Sequence, residues 1–305
     1  MDVLNGVFRL QQTDQLHQTR TAAIHSILNT NGSREHLALG DQALAYALAH
    51  HYLEGAEQAA RSGNLDEFHW YKETIVEPPA TWFEPTARGR KLAQSPTPED
   101  MQQSPLADAP YYVVGPRTTR APRHTIDLVT AALNIAASAG FGDLVDNHAP
   151  IICLLRSKAP TDTLDSWTIS RLPGTIFLDH INDPTVLARD IVHEAGHNWL
   201  NDALAATEIA IHDSRTYYSP WKRTPRPAFG FLHACWSFPL TMLFTATAGH
   251  LAPGPVEVML QQYLEQQQRK LSVTAADHAD ALQLVDNASV RDRLRAVYAA
   301  ATVLG

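Results

Sequence analysis

Residues 174–205 read GTIFLDHINDPTVLARDIVHEAGHNWLNDALA, and they set the fold class. GTIFLDH has the β-branched and apolar content of a buried strand. Asp183 followed by Pro184 is a helix start, an N-cap side chain and then a residue whose missing N–H costs nothing in the first turn. A helix is therefore expected from about Pro184 through Ala205. At ~100° per residue it puts His193 and His197 one turn apart on one face, able to hold a metal ion between them. Glu194 is rotated away from His193 by the same angle and should flank such an ion.

Outward from this stretch, APIICLLRS (149–157) and DSWTISRL (165–172) are strand-like, and TIDLVTAALNIAASAG (125–140) is a helix closed by Gly140. Downstream, residues 229–250, 254–272 and 288–305 are helical in period. Upstream, TRTAAIHSILNT (19–30) and residues 37–63 are helical too, with NGS (31–33) between them. The expected fold is mainly α with a small β-sheet, an α+β class in which a metal-binding HExxH helix follows a short sheet. A single domain, 1–305, is expected. It comprises a helical N-terminal layer (1–76), a Pro-rich surface excursion (77–123) serving as a lid or a loop, and a metal-site core (124–305). YYVVG (111–115) is its one strand-like piece.

Hydrophobic residues make up 45% and charged residues 18% of the 305, as in soluble globular proteins. A net charge of −8 offers no basic field for a phosphate backbone, which argues against nucleic acid as a partner. The first twenty residues lack a basic, then apolar, signal pattern, and no run of eighteen apolar residues occurs, so a cytoplasmic protein without a membrane partner is expected. Cys153 and Cys235 both lie in apolar surroundings, as buried free thiols do.

Two histidines leave a metal short of ligands. The long metalloprotease motif continues with glycine and a third histidine, where this chain has Leu200 and Ala203. Glu208 sits too close along the same helical direction to return to the metal. His233, at the start of a new apolar helix, is favoured as third ligand over His212. Between them lies YYSPWKRTPRPAFG (217–230). Its prolines stiffen the backbone that carries Trp221, Lys222, Arg223 and Arg226, and a guanidinium held so can clamp a carboxylate.

These two segments together resemble the HExxH-motif peptide-modifying proteins found with ribosomally made natural products. The likeness spans roughly residues 150–245 and rests on the order of the metal helix, the Tyr-x-x-Trp, the Pro-Arg-Pro and the Leu-His elements. It implies an Fe(II)- and 2-oxoglutarate-dependent β-hydroxylase, using O2 and acting on an amino-acid residue of a precursor peptide or on a free or carrier-bound amino acid. His193, His197 and His233 would hold the iron, and Glu194 would act beside it. Arg226, with Arg223, Lys222 and Trp221, would bind the cosubstrate. Lys222 replaces an arginine frequent at this position in relatives, and Ala195 and Gly196 are smaller than the usual motif interior. The same residues also fit a zinc-dependent peptidase with Glu194 as general base, or a noncatalytic metal-containing scaffold that binds peptides.

Overall fold

The computed structural model describes residues 4–28, 41–75, 78–86, 89–104, 107, 109–211 and 215–304. In chain order the elements are α1 (Gln11–Leu28), α2 (Gln42–Ser62), α3 (Leu65–Thr74), β1 (Glu84–Thr86), β2 (Gly89–Gln94), α4 (Arg123–Ala136) and α5 (Gly142–His148). There follow β3 (Ile151–Ser157), β4 (Ser166–Trp167), β5 (Thr175–His180), α6 (Pro184–Ala206), β6 (Thr216–Ser219) and β7 (Thr224–Pro227). The chain closes with α7 (Ala228–Ala248), α8 (Gly254–Leu271), α9 (Ala275–Ala281) and α10 (Ala288–Thr302). The protein is mainly helical with a small mixed sheet, an α+β architecture. The NGS break and His212 fall outside the described residues.

Two compact units divide the chain, one formed by Met1–Thr13, Ala131–Val145 and Asp183–Gly305, the other by Asp14–Thr130 and Asp146–Asn182. The second holds the sheet, in the order β1-β2-β3-β5-β4. β2, β3 and β5 run parallel, while β1 and β4 pair antiparallel at the edges. Ile151, Ile152, Cys153 and Leu154 of β3 are all buried, as are Ile176, Phe177 and Leu178 of β5. Such continuous apolar runs mark strands covered on both faces. Leu44, Leu48 and Tyr52 of α2 join Tyr71, Leu92, Ile151 and Phe177 in one apolar cluster.

The Pro-rich excursion departs from expectation. Instead of lying wholly on the surface, it contributes β2, an interior strand of the sheet, with Leu92 opposite Ile151 and Ala93 opposite Ile152. Lys91 and Gln94 obscured it, because charged and amide side chains are rare in an interior strand. Both are buried, and Lys91 Nζ donates to the Asp146 carbonyl at 2.8 Å. YYVVG forms no strand; Tyr111 makes only an isolated bridge to Gln102. β4 is two residues long, much shorter than DSWTISRL suggested.

His51 of α2 ties that helix to β5 in the same unit. Its Nδ1 accepts the Val114 N–H at 3.1 Å, so its proton is on Nε2 and is donated to Thr175 Oγ1 at 2.9 Å. Full burial pushes its pKa down to about 3. Above pH ~6.5 the ring is neutral both folded and unfolded, so this group makes no pH-dependent contribution. As pH falls below that value only the unfolded chain takes up the proton, and stability declines until pH nears 3 by up to about 1.4 kcal/mol per pH unit. His51→Gln can keep both hydrogen bonds without titrating. Denaturant titrations between pH 4 and 6 should show its pH slope smaller than wild type by about one proton, and equal slopes would refute the assignment.

Candidate metal centre

The other unit is built on α6 and α7. Asp183 caps α6 by accepting from the Thr185 and Val186 N–H groups at 2.9 and 3.0 Å. The helix stops at Ala206; Glu208 takes a left-handed conformation (φ 55°) and the Ile209 N–H bonds back to the Leu204 carbonyl. Glu208 thus sits in the exit turn. α7 is apolar on every side and largely buried, as a core helix is. Residues 123–148 and Ala228–Leu251 are long and apolar enough to cross a bilayer, and 78% of the window in the latter is buried in the protein.

The two helices meet at Gly196, in the middle of the histidine motif. A Cβ there would stand 2.8 Å from Leu240 Cδ1 and 3.4 Å from Ser237 Oγ. The Trp236 indole N–H donates to the Gly196 carbonyl at 2.9 Å, and Trp236 stacks on Trp199 with centroids 4.5 Å apart. Trp199 in turn donates to the Phe8 carbonyl at 2.9 Å. The absence of a side chain at Gly196 is therefore explained by the closeness of α7, and Ala195 beside it is fully buried.

His193 and His197 present Nε2 atoms 3.2 Å apart. Two imidazoles on one metal at about 2.05 Å stand roughly 3.3 Å apart at a tetrahedral angle and about 2.9 Å at a right angle, so the pair fits either geometry. Glu194 Oε1 lies 4.0 Å from His193 Nε2, and its side chain is buried. Ligand atoms of His193, Glu194 and His197 all fall within 4.8 Å of one another. His193 keeps 17% side-chain exposure, which leaves the pair reachable.

His233 comes to the same place from α7, on the other nitrogen of His197. The Nδ1 atoms of His197 and His233 are 2.9 Å apart. If His197 Nε2 is to offer a lone pair, its Nδ1 carries the proton and donates to His233, whose own proton then lies on Nε2. That Nε2 is buried without a hydrogen-bond partner, as is Ser237 Oγ. As built, His233 supports His197 from behind. To join the point shared by His193 and His197 it must exchange this hydrogen bond.

Burial, followed by His197 and Arg189, holds the His193 pKa well below its ordinary value, against a smaller raising effect from Ser237. Burial alone takes His197 to about 4. Burial, then His197 and Arg226, keep His233 well below its usual range. All three are neutral at neutral pH, the state in which imidazole binds a metal.

The Pro-rich segment after α6 is a two-stranded hairpin, with Tyr217 opposite Arg226 and Tyr218 opposite Pro225. Tyr217 donates to Asp280 at 2.7 Å, fixing the hairpin to α9. Trp221 lies in the turn, stacked on Phe238 at 4.7 Å with 2° between the planes, and donates to Gln267 of α8 at 2.8 Å. Phe238 in turn abuts the His193 ring at 4.9 Å. Lys222 is close enough to act electrostatically on His193. Arg223, in the left-handed region (φ 55°), acts on Lys270 instead. Arg226 lies against the first turn of α7, where a Cβ on Gly230 would be 2.9 Å from its Nη2.

Phe238, Ser237, Tyr263 and Arg189 were not anticipated. Arg189 had a visible signal, since it precedes His193 by four residues on α6. The three others lie on neighbouring helices, where only packing brings them to the site. No family model matches the chain, and no curated protein matches it.

Gly196→Leu should drive a side chain into α7 and cost about 1–3 kcal/mol of stability, with weaker zinc binding as His233 is displaced. Denaturant unfolding and zinc titration would measure both. A variant of wild-type stability would contradict the close approach.

Proposed function

We propose that this protein is an Fe(II)- and 2-oxoglutarate-dependent oxygenase that hydroxylates an amino-acid residue at its β-carbon. The observation that supports this over other metal chemistries is Arg226 lying on the start of α7. No side chain caps that helix and no acidic residue occupies its first turn. A helix N-terminus carries partial positive charge, so a guanidinium against it is favourable only beside an anion. Among the described residues neither Arg226 nor Lys222 has a carboxylate partner. An anionic cosubstrate suits this surround; a neutral peptide bond has no use for it.

In this reading His193 and His197 supply the lone pairs for iron, with His233 the third donor in exchange for its bond to His197. Arg226 holds the distal carboxylate of 2-oxoglutarate. Phe238 and Trp221 wall the His193 side with aromatic surface and keep water from it. Glu194, beside His193, orients what binds there. Bound iron with the ketoacid and O2 supplies the oxidation of a C–H bond. The resemblance described above points the same way, and the substrate is a peptide residue or a free or carrier-bound amino acid. A second reading, a zinc amide hydrolase, draws on Glu194, whose distance from His193 also suits a general base.

Anaerobic Fe(II) followed by 2-oxoglutarate should give the weak visible charge-transfer band of a chelated ketoacid. His193→Ala should abolish it, and Arg226→Ala should raise the 2-oxoglutarate needed by about tenfold or more, the worth of a lost charge-assisted pair. His233→Ala should lose the band if His233 is a ligand; a band that persists with iron affinity lowered about 10–100-fold would make it a support for His197. No band in the wild type, with tight stoichiometric zinc, would favour the hydrolase.

A further inference from the structure

Arg189 is a buried cation that the scheme above leaves unused. It precedes His193 by one turn of α6, so both side chains leave the same face of the helix. Its guanidinium is held on two sides. Its Nε donates to Asp190 Oδ1 at 2.8 Å, and its Nη2 is 2.7 Å from that same oxygen. Its Cζ lies 4.6 Å from the centroid of the Tyr263 ring, and the Tyr263 hydroxyl is fixed by Thr241 Oγ1 at 2.8 Å. Helices α6, α7 and α8 thus lock one orientation.

The remaining edge is the informative part. A guanidinium has five N–H donors, and a single carboxylate oxygen occupies two of its nitrogens here, leaving Nη1 without a protein partner among the described residues. The side chain is 11% exposed and none of its nitrogens is both buried and unpartnered, so the free edge meets solvent. An oriented guanidinium whose Nη1 is free, one turn from His193, matches a carboxylate.

We propose that Arg189 is a carboxylate-binding residue, and that a molecule taken up beside His193 carries a carboxylate that pairs with Nη1. Resting on the oxygenase reading, two arginines then receive two carboxylates, Arg226 that of the ketoacid and Arg189 that of the substrate, which is an acidic residue or a free α-carboxylate. The chemistry is common to both molecules, so the test must separate them.

Calorimetric titration of the whole chain, metal-free and zinc-loaded, with 2-oxoglutarate and with N-acetyl-aspartate amide would do so, for wild type, Arg189→Lys and Arg226→Lys. Arg189→Lys keeps the charge and the pairing with Asp190 but loses the fork; thermal melts within a few degrees of wild type would confirm folding. We expect it to weaken N-acetyl-aspartate amide about tenfold or more, with 2-oxoglutarate weakened mainly by Arg226→Lys. If Arg189→Lys weakens 2-oxoglutarate instead, Arg189 is still the carboxylate site and its ligand is the ketoacid. Unchanged affinity of the folded Arg189→Lys protein for both, or no binding of either by wild type at tens of millimolar, overturns the proposal. Zinc stoichiometry is read separately, so failure of the metal site shows as absent zinc and leaves the metal-free titrations to judge Arg189.

Discussion

The contact of α6 with α7 at Gly196 is the constraint on which the rest of the histidine cluster depends. A helix carrying two histidines at i and i+4 presents a pincer wherever it lies, but a third imidazole must arrive from another element. The missing side chain at 196 lets α7 come close enough for His233 to reach His197. The Trp199–Trp236 stack and the bond from Trp236 to the Gly196 carbonyl hold that distance. Gly196 is thus a packing residue, and it acts on the histidine cluster only through the helix it admits.

Charge balance constrains the same unit. A divalent ion here would sit among Arg189, Lys222 and Arg226, a costly neighbourhood at low dielectric unless anions offset it. Glu194 and Asp190 supply two carboxylates within the same unit. Under the proposed function, a dianionic cosubstrate supplies the rest, and binding of metal and of cosubstrate would each favour the other.

Much of this was legible in the sequence because it depends on local rules. The Asp183–Pro184 start, the i, i+4 histidines, the buried strands β3 and β5 and the apolar α7 all follow from residue order alone. β2 did not, because its Lys91 and Gln94 are interior polar residues satisfied by backbone carbonyls from distant parts of the chain. The hairpin was hidden by its prolines, which β7 tolerates because a two-stranded ribbon leaves half its backbone groups unpaired. The register of His233 against the wrong nitrogen of His197 is a matter of side-chain rotation, which spacing cannot express. Arg189 lies on the same helical repeat as the histidines, but its contact with Tyr263 of α8 depends on packing that residue order does not express.

The unit boundaries carry a consequence for biosynthesis. The sheet-bearing unit is complete once Asn182 has emerged, whereas the histidine-bearing unit needs Asp183–Gly305 and also the stretch before Asp14. Phe8 meets its partner Trp199 some 190 residues further along the chain, and Arg293 of α10 bonds the carbonyls of Val7 and Arg9. At ~5–20 residues per second, the N-terminal segment waits on the order of ten seconds or more for the helices that hold it. The N-terminal segment and α10 therefore close the histidine-bearing unit only after every residue of the sheet-bearing unit has been made.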